Sequence, residues 1–369
     1  MIPQGERRLS SDYMAWAKTR SASRFNLATS GIAGVKLAEL AVSLEDLEIN
    51  PPDSGYGYAP LREALAERYG VGFDQVVTAA GTSFANHLAM AALLSPGDEV
   101  AMERPVYDPL PAVARYLGAG VRFFERRFED GWQVDPEAVA AACSPRTRLI
   151  VLSRLHNPSG APVDEATLLA VGEIARRSGA RVLVDEVYLE LGWVEGERTL
   201  PVRSAALLGE ELVVTSSLTK GYGLSGLRCG WVLAAPEVAE AMYRLDDLFS
   251  ATGAHAAERL SVVALAQLET FADRAQAMLH RDRAARDAFL AGRSDLEVVQ
   301  PPFGTVVFPR WRGGDTEPLC RLLREKYETT VVPGSFFGAP EHFRLGIGGG
   351  CPDVPEALSR LGAALDELA

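Results

Sequence analysis

Cysteine is sparse in this sequence and stands scattered: Cys143, Cys229, Cys320 and Cys351 form no C-x-x-C pair. That spacing argues against a zinc knuckle or a redox dithiol and suits reduced thiols in a cytosolic enzyme. The five histidines (His87, His156, His255, His280 and His342) show no H-x-x-x-H spacing, so no metal is expected. Basic charge is also short. The 37 Lys and Arg are outnumbered by 49 Asp and Glu, for a net charge of -12. Neither nucleic acid nor an anionic membrane attracts such a chain. The opening MIPQGERRLSSDYMAWAK holds no apolar stretch of the kind an export signal requires, so no export is expected. Small molecules remain as the expected partners.

What is present is an ordinary globular composition, 47% hydrophobic over 369 residues, which is long enough for two domains. From about residue 60 to residue 250, short β-rich runs alternate with helical segments. PLREALAERYG reads as a helix, QVVTAA as a strand, SFANHLAMAALL as a helix closed by Ser95-Pro96-Gly97, and DEVAME as a strand. LIVLS, RVLVDEV and ELVVTSS read as buried strands. The pattern predicts α/β layering on a mainly parallel sheet, with a large domain over residues 46–255. Beyond Pro236 it changes to long helices over 256–292, broken by QPPFG, then strands TVVFP, TTVVP and FRLGI around a helix near 316–327. A smaller α+β domain is expected there, over residues 256–369, completed by the N-terminal arm 1–45. No internal repeat or low-complexity tract interrupts either part.

SSLTKGYGLSGLRCGW, residues 216–231, carries two catalytic patterns that fail on inspection. Gly221-Tyr222-Gly223-Leu224-Ser225-Gly226 matches G-x-G-x-x-G, yet the chain after Gly226 is β-like and Pro236 follows before a helix could complete three turns. Ser217-Leu218-Thr219-Lys220 matches S-x-x-K, but its S-D-N and K-T-G companions occur nowhere in the chain. His280-Arg281-Asp282 mimics a kinase H-R-D without a D-F-G downstream, and is expected to be a solvated helical face.

What remains is Lys220 just past the C-terminal end of a buried strand, the edge at which open α/β sheets bind ligands. Asp185 ends the apolar run Arg181-Val182-Leu183-Val184 at the same edge, where a carboxylate needs a cationic or protonated partner. Alone, the lysine would be a solvated side chain, the aspartate a cap, and Asn157-Pro158-Ser159-Gly160 a turn.

Taken together, the blocks resemble the class I/II aminotransferases of the fold-type I pyridoxal-phosphate enzymes over almost the whole chain. HNPSG resembles their N-P-[ST]-G segment, VDEVYLEL their D-E-x-Y strand end, and SSLTKGYGLSGLRCGW their cofactor segment. GTSFANHLAMAALLSPGDEVAMERPVYDPL resembles their phosphate-helix block and FRLGIGG their carboxylate-binding arginine strand.

The resemblance implies pyridoxal 5'-phosphate as cofactor, carried by Lys220 as a Schiff base, with Lys220 also the general base. It implies that Asp185 keeps the pyridine nitrogen protonated and that Asn157 and Tyr188 bond the ring oxygen. Tyr107 would stack on the ring; Thr82, Ser83, Ser217 and Arg228 would hold the phosphate. Arg344 would clamp the substrate α-carboxylate, with Gly31 and Asn157 beside it, and the Ser30-Gly31-Ile32 segment would approach the same group. The family's proline-containing G-x-P-x-F segment is absent here. Relatives carry a tyrosine that reaches across a dimer where this chain has Pro52; Tyr56 or Tyr58 would substitute, Tyr58 preferred.

The implied activity is amino transfer between an amino acid and a 2-oxo acid in a cytoplasmic homodimer. A lyase, cyclase or racemase on the same scaffold would use the same lysine and aspartate. A regulatory module without turnover is disfavoured, because no basic DNA-binding segment is attached. No second arginine is assigned to a substrate side chain, with Arg24 and Arg310 the candidates.

Overall fold

The structure is a computed structural model and describes residues 10–50, 55–191, 203–301 and 303–369. Pro52 lies outside the described residues. The chain opens with helix α1 (Asp12–Thr19) and the two-residue strand β1 (Phe25–Asn26). Helix α2 (Ala59–Tyr69) leads into strand β2 (Val76–Ala80), followed by helix α3 (Thr82–Leu93). Six further strands complete one sheet: β3 (Glu99–Arg104), β4 (Gly120–Glu125), β5 (Thr147–Ser153), β6 (Arg181–Asp185), β7 (Leu212–Ser217) and β8 (Cys229–Leu233). Their order is β2-β8-β7-β6-β5-β3-β4. Only β8 runs antiparallel to its neighbours, β2 and β7. The remaining pairs are parallel. This is the fold-type I architecture, a mainly parallel central sheet flanked by helices.

Both faces of the sheet are apolar because helices cover both. Ile150, Leu152, Val182, Val184 and Trp231 face one core layer with Leu168 and Val171 of the helix Glu165–Ser178. Leu149, Val151, Leu183 and Val232 face the other with Leu88 and Ala89 of α3 and Met242 of the helix Pro236–Asp246. Burial of each such side chain stabilises by roughly 1.5–3 kcal/mol, so the continuous apolar runs, not local propensity, decide the strands. The helices stop where their sequence tells them to. Asp164 caps Glu165–Ser178 by accepting from the Thr167 amide at 2.7 Å, and Gly179 closes it with φ 65°.

A second core forms from β1 and the C-terminal elements: β9 (Leu296–Glu297), β10 (Val306–Val307), β11 (Arg310–Trp311), β12 (Thr329–Thr330), β13 (Val332–Pro333) and β14 (Phe343–Gly346). β14 pairs antiparallel with both β10 and β13, and β1 of the N-terminal arm pairs parallel with β12. The helix Leu268–Ala291 lays Ala275 and Leu279 on this core. It also corrects the reading of His280-Arg281-Asp282 as wholly solvated. Arg281 is exposed, but Asp282 is 3% exposed and accepts from the Gly348 amide at 3.2 Å. A helix face turns about 100° per residue, so adjacent charges can lie on opposite sides.

All four cysteines are free thiols. Among the described residues, no helix is long and apolar enough to cross a membrane, and no group of His, Cys, Asp and Glu gathers as a metal site.

Candidate active site

The parallel strands bring their C-terminal ends to one edge, and the polar residue that ends each apolar run lands there. Ser153, Asp185 and Ser217 end β5, β6 and β7. A cavity of about 520 Å³ opens between them, lined by Thr82, Ser83, Tyr107, Asn157, Asp185, Tyr188, Ser217, Lys220 and Arg228, with Met14, Lys18 and Asn86. The volume suits a small aromatic cofactor with a substrate beside it.

Asp185 is buried, and burial pushes its carboxyl above the usual carboxylate range. Two donors oppose that. Asn86 Nδ2 donates to Oδ2 at 2.9 Å and the Val187 amide to Oδ1 at 3.0 Å. Thr215 Oγ1 donates to Asn86 Oδ1 at 2.6 Å, which fixes the amide with its NH2 toward the carboxylate. Sequence reading left Asn86 out. Its signal was available: past Thr82 at the helix start, it is the one polar side chain among the buried residues of α3.

Across the cavity, Lys220 Nζ donates to Ser30 Oγ at 3.0 Å, and Tyr188 Oη donates to the same oxygen at 2.8 Å. Burial lowers the lysine's proton affinity and raises that of the Tyr188 phenol. Underneath, the buried Glu190 carboxylate accepts from Tyr69 Oη at 2.8 Å, and from Tyr222 and Arg68. That network ties the turn after Asp185 and the turn holding Lys220 to α2, so the two sides of the cavity are held against one support.

The anion-binding end is built from α3 and β7. Thr82 and Ser83 are the first two residues of α3, whose unbonded amides point outward. Thr82 Oγ1 donates to Ser217 Oγ at 2.8 Å. Gly81 takes φ 78°, and a Cβ there would collide with the Arg228 guanidinium. Arg228 itself holds φ 51°, uncommon for a non-glycine residue, with its guanidinium bonded to Ala80 O at 2.9 Å and Ser225 O at 3.2 Å. Helix amides, three hydroxyls and a fixed guanidinium fit a phosphate dianion.

Arg344 is fully buried, not the surface strand residue that its sequence position alone allowed. It donates to Asn157 Oδ1 at 2.9 Å, Tyr13 Oη at 3.0 Å and the Ala28 carbonyl at 2.8 Å, and Nε has no partner. No carboxylate pairs with it among the described residues. A buried guanidinium without a counter-ion is ready for an anionic ligand. His156 steadies the neighbouring Asn157. Its Nε2 lies 2.8 Å from the Pro105 carbonyl and so donates, leaving Nδ1 to accept from Ser159 Oγ at 2.6 Å. Burial holds this ring neutral.

Other expected residues lie elsewhere. Gly31 packs on the stem of Lys220, where a Cβ would stand 3.1 Å from Cδ. Tyr58 does not line the cavity; its ring meets His255 edge-on at 5.0 Å. Tyr56 donates to Asp247 at 3.0 Å and borders a smaller neighbouring cavity that shares Arg228. Arg24 is exposed beside Glu328, and Arg310 pairs with Glu129 and Glu297, so neither reaches the site.

The family model for aminotransferase class I and II matches residues 38–361. The chain belongs to the class I and II aminotransferases. This aminotransferase-family chain is 32% identical over 325 residues to the arginine–pyruvate transaminase AruH of Pseudomonas aeruginosa, covering 85% of this chain and 81% of that one. It is 33% identical over 311 residues to a capreomycidine synthase of Streptomyces vinaceus, covering 84% and 78%. A solved PLP-dependent cyclase, OrfR, superposes with a TM-score of 0.87 at 26% identity, covering 100% of both chains. Pyridoxal phosphate is the cofactor of this family, and the donor set fits it: an amine, a buried carboxylate and an anion cradle around one cavity.

Proposed function

We propose that this chain is a pyridoxal-phosphate-dependent transaminase that moves an amino group between an amino acid and a 2-oxo acid through Lys220. The observation that carries the reading is the placing of Lys220 and Asp185 on one cavity, with Arg344 buried beside it and, among the described residues, without a counter-ion. Bound there, pyridoxal phosphate supplies an aldehyde that condenses with amines and a ring that accepts the electron pair released at the substrate α-carbon.

The rest is the work of the chain. Lys220 Nζ would hold the cofactor and, as a free amine, would take the substrate α-proton as a general base. The lowered proton affinity of its half-buried amine favours the neutral form this task needs. Asp185 holds a proton on the ring nitrogen, steadied by Asn86 and the Val187 amide. Arg344 holds the α-carboxylate, and Asn157, fixed by Arg344, turns its amide toward the ring oxygen. Tyr188 would bond the same oxygen and Tyr107, which lines the cavity, would lie against the ring. Thr82, Ser83, Ser217 and Arg228 hold the phosphate.

A second reading keeps these residues and changes the bond broken. Likeness to a capreomycidine synthase and to a PLP-dependent cyclase over the full chain favours elimination or cyclisation on the same scaffold. A single-turnover experiment separates the two. With loaded enzyme and L-arginine, L-aspartate or L-alanine in turn, transamination yields one equivalent of 2-oxo acid and the aminated cofactor, and pyruvate or 2-oxoglutarate restores the aldehyde. Release of ammonia or of a cyclised product without oxo acid selects the second reading.

A homodimer in the cytoplasm is part of the proposal. Leu44, Ile49, Leu248 and Phe249 are 88%, 78%, 77% and 59% exposed, apolar surface that a second copy would cover. Tyr56 and Asp247 line the small cavity that shares Arg228, so a second copy seated there would reach the phosphate end, with Tyr56 or Tyr58. Sedimentation is expected to give twice the chain mass of 39.7 kDa; a monomer at working concentration removes this part.

A further inference from the structure

Ser30 stands where three parts of the site meet. The loop that carries it leaves β1 and is tied down at both ends. The Leu27 amide donates to Thr330 O at 2.8 Å, and Thr305 Oγ1 donates to the Ser30 carbonyl at 2.8 Å. From there the loop grips Lys220 at three points. The Ile32 amide donates to the Lys220 carbonyl at 3.0 Å, Gly31 packs on the Lys220 stem, and Ser30 Oγ lies 3.0 Å from Nζ. A side chain at residue 31 would push the lysine stem aside, its Cβ being 3.1 Å from Cδ and 3.3 Å from Cα.

The hydroxyl is 4% exposed and has a second neighbour, Tyr188 Oη, at 2.8 Å. A serine hydroxyl accepts twice and donates once. With Lys220 as an ammonium, both Nζ and Tyr188 donate to it, and both acceptor positions are filled. With Lys220 as a neutral amine, the nitrogen lone pair becomes an acceptor, and the Ser30 proton can turn toward it while Tyr188 still donates to the oxygen. Alanine or glycine at this position would leave both forms of a half-buried nitrogen short of a partner.

We propose that Ser30 is a catalytic residue of this site: its hydroxyl holds the Lys220 amine, once released from the cofactor, by donating to the neutral form and accepting from the protonated form. The proton taken from the substrate α-carbon stays on Nζ until Nζ returns it; Ser30 keeps its own proton and only reverses the sense of its hydrogen bond. No net transfer occurs through the serine. Tyr188 donates its one hydroxyl proton to Ser30 while no cofactor is bound; in the loaded enzyme that proton would turn to the ring oxygen, and Ser30 alone would hold the amine. The inference rests on the reading of Lys220 as the base.

The test compares wild type with Ser30→Ala and Ser30→Thr as loaded full-length enzyme, using the fastest donor among L-arginine, L-aspartate and L-alanine. Borohydride reduction followed by mass analysis is expected to trap cofactor on Lys220 equally in all three. The single-turnover rate of Ser30→Ala is expected to fall about tenfold or more, because a hydrogen bond to a charged group is lost at the reacting nitrogen. The half-saturating donor concentration should stay within about twofold and the α-deuterium isotope effect should rise, which a merely structural role would not produce. Ser30→Thr, which keeps a hydroxyl, should recover most of the rate.

A second measurement needs no cofactor. The chain has four lysines, Lys18, Lys36, Lys220 and Lys326, so labelling by trinitrobenzenesulfonate is readily assigned to each. In cofactor-free protein the pH midpoint of Lys220 labelling is expected to fall in Ser30→Ala, because the charge-assisted bond lost by the ammonium is stronger than the bond lost by the neutral amine. A Ser30→Ala enzyme with wild-type rate and an unmoved midpoint overturns the proposal. Absence of any trapped adduct in wild type instead overturns the function reading, and the labelling midpoint still decides whether Ser30 holds the amine. If Ser30→Ala does not fold, Ser30→Gly carries the same comparison.

Discussion

Lys220→Ala is expected to fold, to lose the covalent cofactor and its visible absorbance, and to turn over at least about 10⁴-fold more slowly, about 5 kcal/mol of transition-state stabilisation. The fold survives because the lysine contributes little to it. Its amine is half-buried at the cavity wall, with a hydroxyl partner and, among the described residues, no carboxylate bonded to it, and desolvation lowers its proton affinity. A lysine whose folded-state affinity is depressed costs stability at any pH below its unfolded value: fully below the folded value, where the ammonium is held desolvated, and less as pH rises from there to the unfolded value. Alanine removes that cost, so the melting temperature at neutral pH should be equal to or above that of wild type. Differential scanning calorimetry and absorbance of the loaded protein measure the two halves. A variant that keeps the cofactor colour and its wild-type rate would falsify the assignment of Lys220.

Asp185→Asn separates the ring-nitrogen end of the site from the lysine end. The substitution keeps the shape and removes the charge, so Lys220 should still trap the cofactor, while turnover falls by about 10²- to 10⁴-fold. The introduced amide cannot satisfy both of its neighbours. Asn86 Nδ2 and the Val187 amide are both donors, and the new side chain offers one oxygen between them. One donor faces an NH2 group, costing about 1–3 kcal/mol of stability. Asn86→Leu together with Asp185→Asn should recover part of that stability and none of the rate. Equal rates for wild type and Asp185→Asn would remove the aspartate from the mechanism.

The strands that position the site were legible because each is a continuous apolar run ended by one polar residue, as in Leu149 to Ser153 and Val182 to Asp185. Burial on both faces leaves no alternation to confuse the reading. The edge strand β4 was not foreseen; only Phe124 in it is buried, and its sequence carries Arg122 and Glu125. The glycine-rich segment after Lys220 resembled a dinucleotide loop because both uses need backbone near a phosphate, and only the strand β8 beginning at Cys229 distinguishes them.

Asn86, Ser30 and Tyr13 show where sequence reading stopped. Asn86 meets a partner 99 residues away, Ser30 meets Tyr188 and Lys220 across 158 and 190 residues, and Tyr13 meets Arg344 across 331. Hydroxyls and amides of this kind occur throughout any surface, and nothing local marks the few that the fold turns inward.

By itself the sequence determined the α/β layering, the family, and the pair Lys220 and Asp185, because apolar periodicity and short motifs act over a few residues and survive without coordinates. The tertiary structure alone decided which hydroxyl meets the lysine, which amide holds the aspartate, and that Arg344 is buried with no counter-ion among the described residues. Those are properties of distance and dielectric between segments remote in the chain, and they exist only once the sheet edge, the N-terminal arm and β14 have been packed together.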